Sequence, residues 1–158
     1  MFINLTIQIL WITYAPITGP AAEFYGVSDL QIGLLAAVLI AINNLRDMNQ
    51  DIQAGRKTWP VRFGARFARL EIAFFALAPF LLNLYWWYAA GIWAALLPLI
   101  ALPLAIKIVK LVFRTEPSAL YNQYLAKSAG LHLMFGCLLA VGLILCSNFG
   151  TTNTVFSR

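Results

Sequence analysis

Residues 72–106 read IAFFALAPFLLNLYWWYAAGIWAALLPLIALPLAI, a run of 35 positions without one charged side chain. A single straight helix of that length would rise about 50 Å, well beyond a hydrocarbon core of about 30 Å. Two membrane spans joined by a tight turn fit this run better. Residues 85–88, YWWY, supply an aromatic belt for the membrane interface, and Gly91 supplies the turn.

The composition of the whole chain agrees with this interpretation. The chain has 158 residues, of which 61% are hydrophobic and 11% charged, and its mean hydropathy is +0.78. A soluble domain of this size needs more charge to cover its surface. We therefore expect an all-α, polytopic transmembrane helical bundle that forms a single domain over residues 1–158.

Apolar segments on either side of the central run bring the expected number of spans to about five. Residues 2–15 form the first segment. Residues 30–45 form the second, which is short for a crossing and follows Ser28 and Asp29, both suitable helix caps. Residues 128–146 form the last.

The placement of the basic residues predicts the topology. Ten of the eleven Lys and Arg residues lie in two polar stretches, 46–69 and 107–127, which we expect to be loops, and the turns near 19–29 and 85–91 have none. With five spans these two sets lie on opposite sides, and the positive-inside rule places the basic loops in the cytoplasm of a cell (inner) membrane. Basic residues placed between apolar segments argue against a nucleic-acid partner, despite the net charge of +5.

The most informative polar residues lie where the second span meets the first basic loop. Steps of three and four residues put Asn44, Asp47 and Asp51 on one face of a helix. Oxygen ligands one turn apart suit Mg²⁺, which keeps several waters and prefers one or two carboxylates plus phosphate oxygens. The spacing therefore predicts a metal site in which Asp47 and Asp51 are the central ligands and Asn44 is a further one.

Cations near this face outnumber the two carboxylates, which indicates an additional anionic group, and a diphosphate is the obvious candidate. These cations are Arg46, Arg56, Lys57 and Arg62. The alternative, of equal weight on spacing alone, is a solvated helix end whose ion pairs lie at the surface and whose arginines serve only as a topology signal.

Residues 43–64, NNLRDMNQDIQAGRKTWPVRFG, carry a resemblance to a known family. They resemble the second aspartate-rich motif of the UbiA-type intramembrane prenyltransferases, and most closely the branch that prenylates 1,4-dihydroxy-2-naphthoate in menaquinone biosynthesis. That branch's pattern reads NNLRD, then D, then AGK-R-T, then V-R-x-G. Residues 14–25 and 121–136 resemble two further stretches of the branch, its tyrosine–threonine–glycine–proline loop and its closing helix.

The resemblance implies a function for the predicted site. Asp47 and Asp51 would be the catalytic pair that binds Mg²⁺ and, through it, a polyprenyl diphosphate. The basic residues named above would neutralise the leaving diphosphate, and the prenyl cation would alkylate 1,4-dihydroxy-2-naphthoate with loss of its carboxyl group. Residues that the resemblance places at the substrate pocket are Asn43, Asn122 and Lys127. For the last two, a helix cap and a lysine that reaches the membrane surface are the alternative of equal weight.

The same resemblance bounds what this chain supplies. The family has about nine spans and two aspartate-rich motifs on facing halves, whereas this chain presents about five spans and one motif. We therefore expect it to resemble the C-terminal half of the nine-helix fold, with an N-terminal half carrying the first motif as a possible partner. Two alternatives stay open: a catalytically inactive or partial membrane fragment that lacks the first motif, and a related 4-hydroxybenzoate-type prenyltransferase.

Overall fold

The computed structural model describes residues 29–91 and 93–148, and all regular structure in these residues is helical. The residues from Leu34 onward belong to one compact unit, which contains the packing contacts and the polar cluster of the described part. The predicted first span, residues 2–15, and the family-like loop at 14–25 lie outside the described residues. The prediction of a single domain over the whole chain is not tested by the described part and stays a prediction.

Three helical segments in the described part are long and apolar enough to cross a membrane: Trp59–Ala89, Trp93–Arg114 and Tyr121–Cys146. The helices are α1 (Asp29–Arg46), α2 (Met48–Gln53), α3 (Trp59–Ala90), a 3₁₀ helix (Trp93–Ala101), α4 (Leu102–Arg114) and α5 (Tyr121–Asn148). Helix α1 carries the predicted second span and contains a shorter apolar stretch, Ala37–Arg46. The expected all-α membrane bundle is confirmed.

The predicted division of the uncharged central run is confirmed. Helix α3 ends at Ala90, and Gly91 follows in the left-handed region with φ 66° and ψ 21°. Its backbone N–H donates to the Trp87 carbonyl at 3.0 Å, which satisfies one of the last carbonyls of the helix. Only glycine adopts this conformation without a steric penalty, so the turn falls where the sequence places a glycine.

The first predicted loop, residues 46–69, is mostly helical. It holds α2, a short connection at 54–58, and the first three turns of α3. Thr58 at the N-cap and Pro60 in the first turn start α3, because proline's fixed φ suits a helix start. Gly64, with φ 85° and ψ 166°, is not helical, so α3 is kinked there and consists of a short first piece and a long second one. The charged residues of this stretch do not indicate a loop, because a helix can extend beyond the apolar layer with its charged side chains in water.

The second predicted loop, residues 107–127, is shorter than expected for the same reason. Lys107, Lys110 and Arg114 lie on α4, and Lys127 lies on α5. The connection between the two helices is confined to residues 115–120. The last span thus begins at Tyr121 and not at the predicted Ser128.

The core seam of α5 follows a regular pattern. Its buried positions are separated by steps of three or four residues, close to the 3.5-residue period of helices that pack lengthwise. They are Tyr121, Tyr124, Ser128, Leu131, Phe135, Leu139 and Gly142. The seam packs against the 3₁₀ helix and α4, and Phe135 meets Phe80 of α3 edge-on with ring centroids 5.3 Å apart. A Cβ at Gly142 would lie 2.7 Å from the Ala94 carbonyl oxygen, so this crossing depends on glycine.

The 3₁₀ helix is unusual for its length of nine residues, because such helices rarely exceed three or four. Pro98 lies within it and Pro103 in the first turn of α4. Each proline removes a backbone donor and crowds the preceding turn, which disfavours regular α-helix here. Buried residues continue in one stripe from this segment into α4: Ala94, Ala95, Pro98 and Ala101, then Ala105, Ile108 and Val112.

Candidate functional site: the aspartate pair at the α1–α2 junction

Asp47 is the single residue between α1 and α2, with φ −90° and ψ 4°. Helical hydrogen bonds nevertheless continue across it. The Asp47 N–H donates to the Asn43 carbonyl at 3.0 Å, and the Asp51 N–H donates to the Asp47 carbonyl at 2.9 Å. The structure therefore separates Asp47 and Asp51 by one helical turn, and it places Asn44 in the last turn of α1.

The Asp47 carboxylate is held by its neighbour Arg46. Arg46 Nε donates to Oδ1 and Arg46 Nη2 donates to Oδ2, each at 2.7 Å. The two side chains are 13% and 21% exposed, respectively. Such a two-pronged, charge-assisted contact is among the stronger polar interactions in proteins, and its partial burial limits screening by water.

The Asp51 carboxylate is more deeply buried and more loosely held. Its side chain is only 7% exposed, yet Arg56 Nη1 approaches Oδ1 at 3.4 Å and Thr58 Oγ1 donates to Oδ2 at 3.3 Å. Arg56 itself is 65% exposed. A buried carboxylate requires a compensating charge, and these long contacts neutralise it weakly. Asp51 is therefore the more available of the two carboxylates for an added cation.

The remaining predicted cations lie in the same stretch but are not direct partners of the carboxylates. Lys57 is exposed in the 54–58 connection, and Arg62 is exposed near the start of α3. The partners that the structure gives to the two aspartates are Arg46, Arg56 and Thr58. Diphosphate contacts by Lys57 and Arg62 stay predictions.

Of the three predicted pocket residues, the structure brings Asn122 to the site. Its Oδ1 accepts a hydrogen bond from Arg46 Nη1 at 2.6 Å, across 76 positions of sequence. Lys127 lies one turn further along α5, with its Nζ 5.7 Å from the Tyr124 ring centroid. Asn43 joins the site through its backbone carbonyl, which accepts from the Asp47 N–H.

The first turn of α5, which carries Asn122, is fixed by a second group of hydrogen bonds. The Tyr121 hydroxyl is within hydrogen-bond distance of the Val112 carbonyl, at 3.2 Å, and of the Thr115 carbonyl, at 2.9 Å. Arg69 Nη2 donates to the Thr115 carbonyl at 3.1 Å and to Glu116 Oε1 at 3.0 Å. Helices α3 and α5 and the 115–120 connection are thus tied together near the aspartate site.

Sequence reasoning gave no role to Thr58 and did not foresee the contact between Arg46 and Asn122. A signal for Thr58 was present, since it matches the threonine of the AGK-R-T pattern and follows the cations. The contact between Arg46 and Asn122 joins distant parts of the chain, and no local pattern encodes it.

The donor set fits a metal–diphosphate better than a metal held by protein alone. Within residues 29–91 and 93–148, no group of three or more His, Cys, Asp or Glu side chains could hold a metal ion. A carboxylate offers about four lone-pair positions, and the contacts above use two on Asp47 and two on Asp51. Both retain capacity for Mg²⁺, which takes its other ligands from water and phosphate.

Comparisons with known proteins agree with the resemblance in the sequence. The model of the UbiA prenyltransferase family matches residues 1–131. A curated relative, the 1,4-dihydroxy-2-naphthoate octaprenyltransferase of Haemophilus influenzae, is 32% identical over 114 residues, which cover 72% of this chain. The match spans 37% of that relative's length. No solved structure matches the chain.

Proposed function

The chain belongs to the UbiA prenyltransferase family, and on that basis we propose that it takes part in transferring a polyprenyl group from a polyprenyl diphosphate to 1,4-dihydroxy-2-naphthoate in menaquinone biosynthesis. Support for this acceptor comes from the name of the Haemophilus relative and from the NNLRD start of the motif at residues 43–47. The proposed reaction takes place in the membrane, where the spans of this integral membrane protein would shelter the prenyl chain.

The main support for the proposal is that the Asp51 carboxylate is buried and weakly paired. Its side chain is 7% exposed, and the contacts that the described residues make with it are 3.3 and 3.4 Å long, which suits the binding of a further cation. Asp47 lies one turn away. Around this pair the chain concentrates basic side chains that suit a diphosphate.

Each residue then has a distinct proposed role. Asp47 and Asp51 would hold Mg²⁺, with Asn44 as a further ligand, and the metal would supply positive charge to the diphosphate leaving group. The cations would bind the diphosphate oxygens and stabilise the charge that grows there as the allylic bond breaks. These cations are Arg46, Arg56, Lys57 and Arg62.

We also propose that the chain acts together with a segment that carries the first aspartate-rich motif. The match spans 37% of the Haemophilus relative, so most of that relative has no counterpart in the match. An opposing aspartate cluster would complete the set of ligands around the metal–diphosphate. Co-expression with such an N-terminal half should raise prenyl transfer above that of either part alone.

The proposed location is the cell (inner) membrane, with the basic stretches 46–69 and 107–127 on the cytoplasmic side. The structure supports placing them on the same side. Arg46 contacts Asn122, and Arg69 contacts Glu116, so the two basic stretches meet at one end of the spans.

A binding experiment tests the function directly. Purified protein in lipid nanodiscs should bind farnesyl diphosphate with Mg²⁺ and lose most binding when the metal is chelated. Asp47→Asn and Asp51→Asn should each weaken binding at least about tenfold, because each removes a metal ligand. Glu116→Gln is the matched control, since it removes one negative charge from an exposed acid at the same end of the spans. Unchanged binding in both aspartate variants would sink the proposal.

One observation favours a second function, that of a non-catalytic membrane protein. Both aspartates already have partners in the chain, Arg46 for Asp47 and Arg56 for Asp51, as in a purely structural helix end. This alternative predicts no Mg²⁺-dependent diphosphate binding and no transfer with a supplied N-terminal half.

The acceptor can be tested in a prenyl transfer assay with the N-terminal half supplied. Offering 4-hydroxybenzoate in place of 1,4-dihydroxy-2-naphthoate separates the naphthoate reaction from the related benzoate one.

A further inference from the structure

We propose that Asn122 is a positioning residue of the diphosphate site: it fixes Arg46, and Arg46 in turn holds the Asp47 carboxylate. The inference rests on the proposed function and deepens it. It moves Asn122 from a substrate contact, as the sequence suggested, to a support for the metal-binding carboxylate. The first turn of α5 would thereby be a working part of the site.

The Arg46 guanidinium has acceptors on two sides, and two of its five N–H groups are left for a diphosphate. One edge, Nε and Nη2, donates to the two oxygens of Asp47, and Nη1 donates to Asn122 Oδ1 at 2.6 Å. All three nitrogens therefore have acceptors on two separate elements. A planar group held on two sides cannot rotate without breaking a contact.

Arg46 and Asp47 are adjacent in sequence, and their side-chain contact is unusual for a helix. On a helix, neighbouring side chains diverge by about 100° and do not face each other. The Arg46–Asp47 contact nevertheless exists, at a residue whose ψ of 4° departs from the helical value of about −42°. A long arginine side chain carries about 2 kcal/mol of rotamer entropy, so a second anchor is needed to keep it in this one conformation. Asn122 supplies that anchor.

The helical turn that carries Asn122 is itself held in place by hydrogen bonds. Asn122 follows Tyr121, whose hydroxyl lies within hydrogen-bond distance of the Val112 and Thr115 carbonyls. Tyr124, in the same turn, lies 2.8 Å from Thr115 Oγ1. The first turn of α5 is thus fixed to the end of α4 and the start of the connection. An anchor fixed in this way can hold Arg46 in place.

Polar groups that orient metal ligands typically change metal affinity 10- to 100-fold when removed, roughly the range expected here. We therefore expect Asn122→Ala to weaken Mg²⁺-dependent farnesyl diphosphate binding about tenfold. Asn122→Gln keeps an amide oxygen as an acceptor for Arg46 without adding charge and should recover most of the binding that Asn122→Ala loses. Gln123→Ala, at the exposed neighbouring position, is the control and should bind as wild type does.

A double-mutant cycle distinguishes positioning from direct contact. If Asn122 acts through Arg46, Asn122→Ala should cause no further loss of binding in an Arg46→Ala background. Additive losses would overturn the inference, because Asn122 would then contribute independently of Arg46. Wild-type binding by Asn122→Ala alone would overturn it as well.

The same experiment separates this inference from the proposed function. Wild-type protein that binds no farnesyl diphosphate with Mg²⁺ refutes both, whereas normal wild-type binding with an unaffected Asn122→Ala refutes only the positioning role. If Asn122→Ala does not fold, Arg46→Lys is the variant to test instead. Lysine keeps the positive charge but lacks the planar guanidinium that donates to two acceptors at once. Arg46→Lys should then bind about tenfold more weakly while Asn122→Gln keeps most of the binding, and equal binding by the two variants contradicts the inference.

Discussion

Asp47 and Asp51 occupy successive turns, but their carboxylates differ in burial and in how tightly they are paired. Asp47 is less buried and tightly paired, with two contacts of 2.7 Å, whereas Asp51 is more buried and has contacts of 3.3 and 3.4 Å. Tight pairing favours a fixed position for a carboxylate, and loose pairing of a buried one favours uptake of a cation. At the scale of single residues, the pair thus combines a fixed carboxylate with a more available one.

Thr58 provides a test at this scale. Thr58→Val keeps the shape of the side chain but removes the hydroxyl that donates to Asp51 Oδ2. A lost hydrogen bond to a charged group is worth about 1.5–3 kcal/mol, and the length of this one places it at the low end. We expect roughly tenfold weaker Mg²⁺-dependent farnesyl diphosphate binding by calorimetry. Thr58→Ser, which retains the hydroxyl, should bind as wild type, and equal binding by the valine and serine variants would contradict this role.

At the scale of elements, the crossing of α5 over the 3₁₀ helix requires a glycine at position 142. Gly142→Ala would place a Cβ 2.7 Å from the Ala94 carbonyl oxygen. Overpacking of this kind lowers the free energy of unfolding by about 1–3 kcal/mol. Gly136→Ala, on the same helix with nothing within 4 Å of its Cβ, should be neutral or stabilising. Unfolding in mixed micelles should separate the two variants, and equal stability would show that the crossing is not tight.

Sequence predicted some boundaries of these elements and missed others for a physical reason. Gly91 marked the turn correctly, because a left-handed residue after an apolar run is a local signal. The start of α3 at Trp59 was missed, since the charges at 62–69 resembled a loop while the backbone there is helical apart from the kink at Gly64. The site was partly predictable: the spacing of Asp47 and Asp51 is local, whereas the contact of Arg46 with Asn122 depends on tertiary packing.

At the scale of the whole molecule, the hydrogen bonds at one end of the spans make topology testable. Single cysteines placed at Arg56 and Ser118, in a background where Cys137 and Cys146 are serine, should both react with a membrane-impermeant maleimide from the cytoplasmic side. A cysteine at Tyr88, an exposed position at the other end of α3, should react only from the opposite side, since a span lies between it and each of the other two positions. Labelling of the first two positions from different sides would contradict the arrangement.

The 3₁₀ helix affects how this protein matches the thickness of its bilayer. Residues 93–106 are the 14 charge-free positions of the middle span, and as a regular α-helix they would extend about 21 Å. With nine of them at the 3₁₀ rise they extend about 26 Å, which nearly covers a hydrocarbon core of about 30 Å. Lys107 and Lys110 follow directly, and their aliphatic stems can span the remainder while their charges reach the headgroups. The stretched backbone thereby relieves a hydrophobic mismatch that the short apolar segment would otherwise impose.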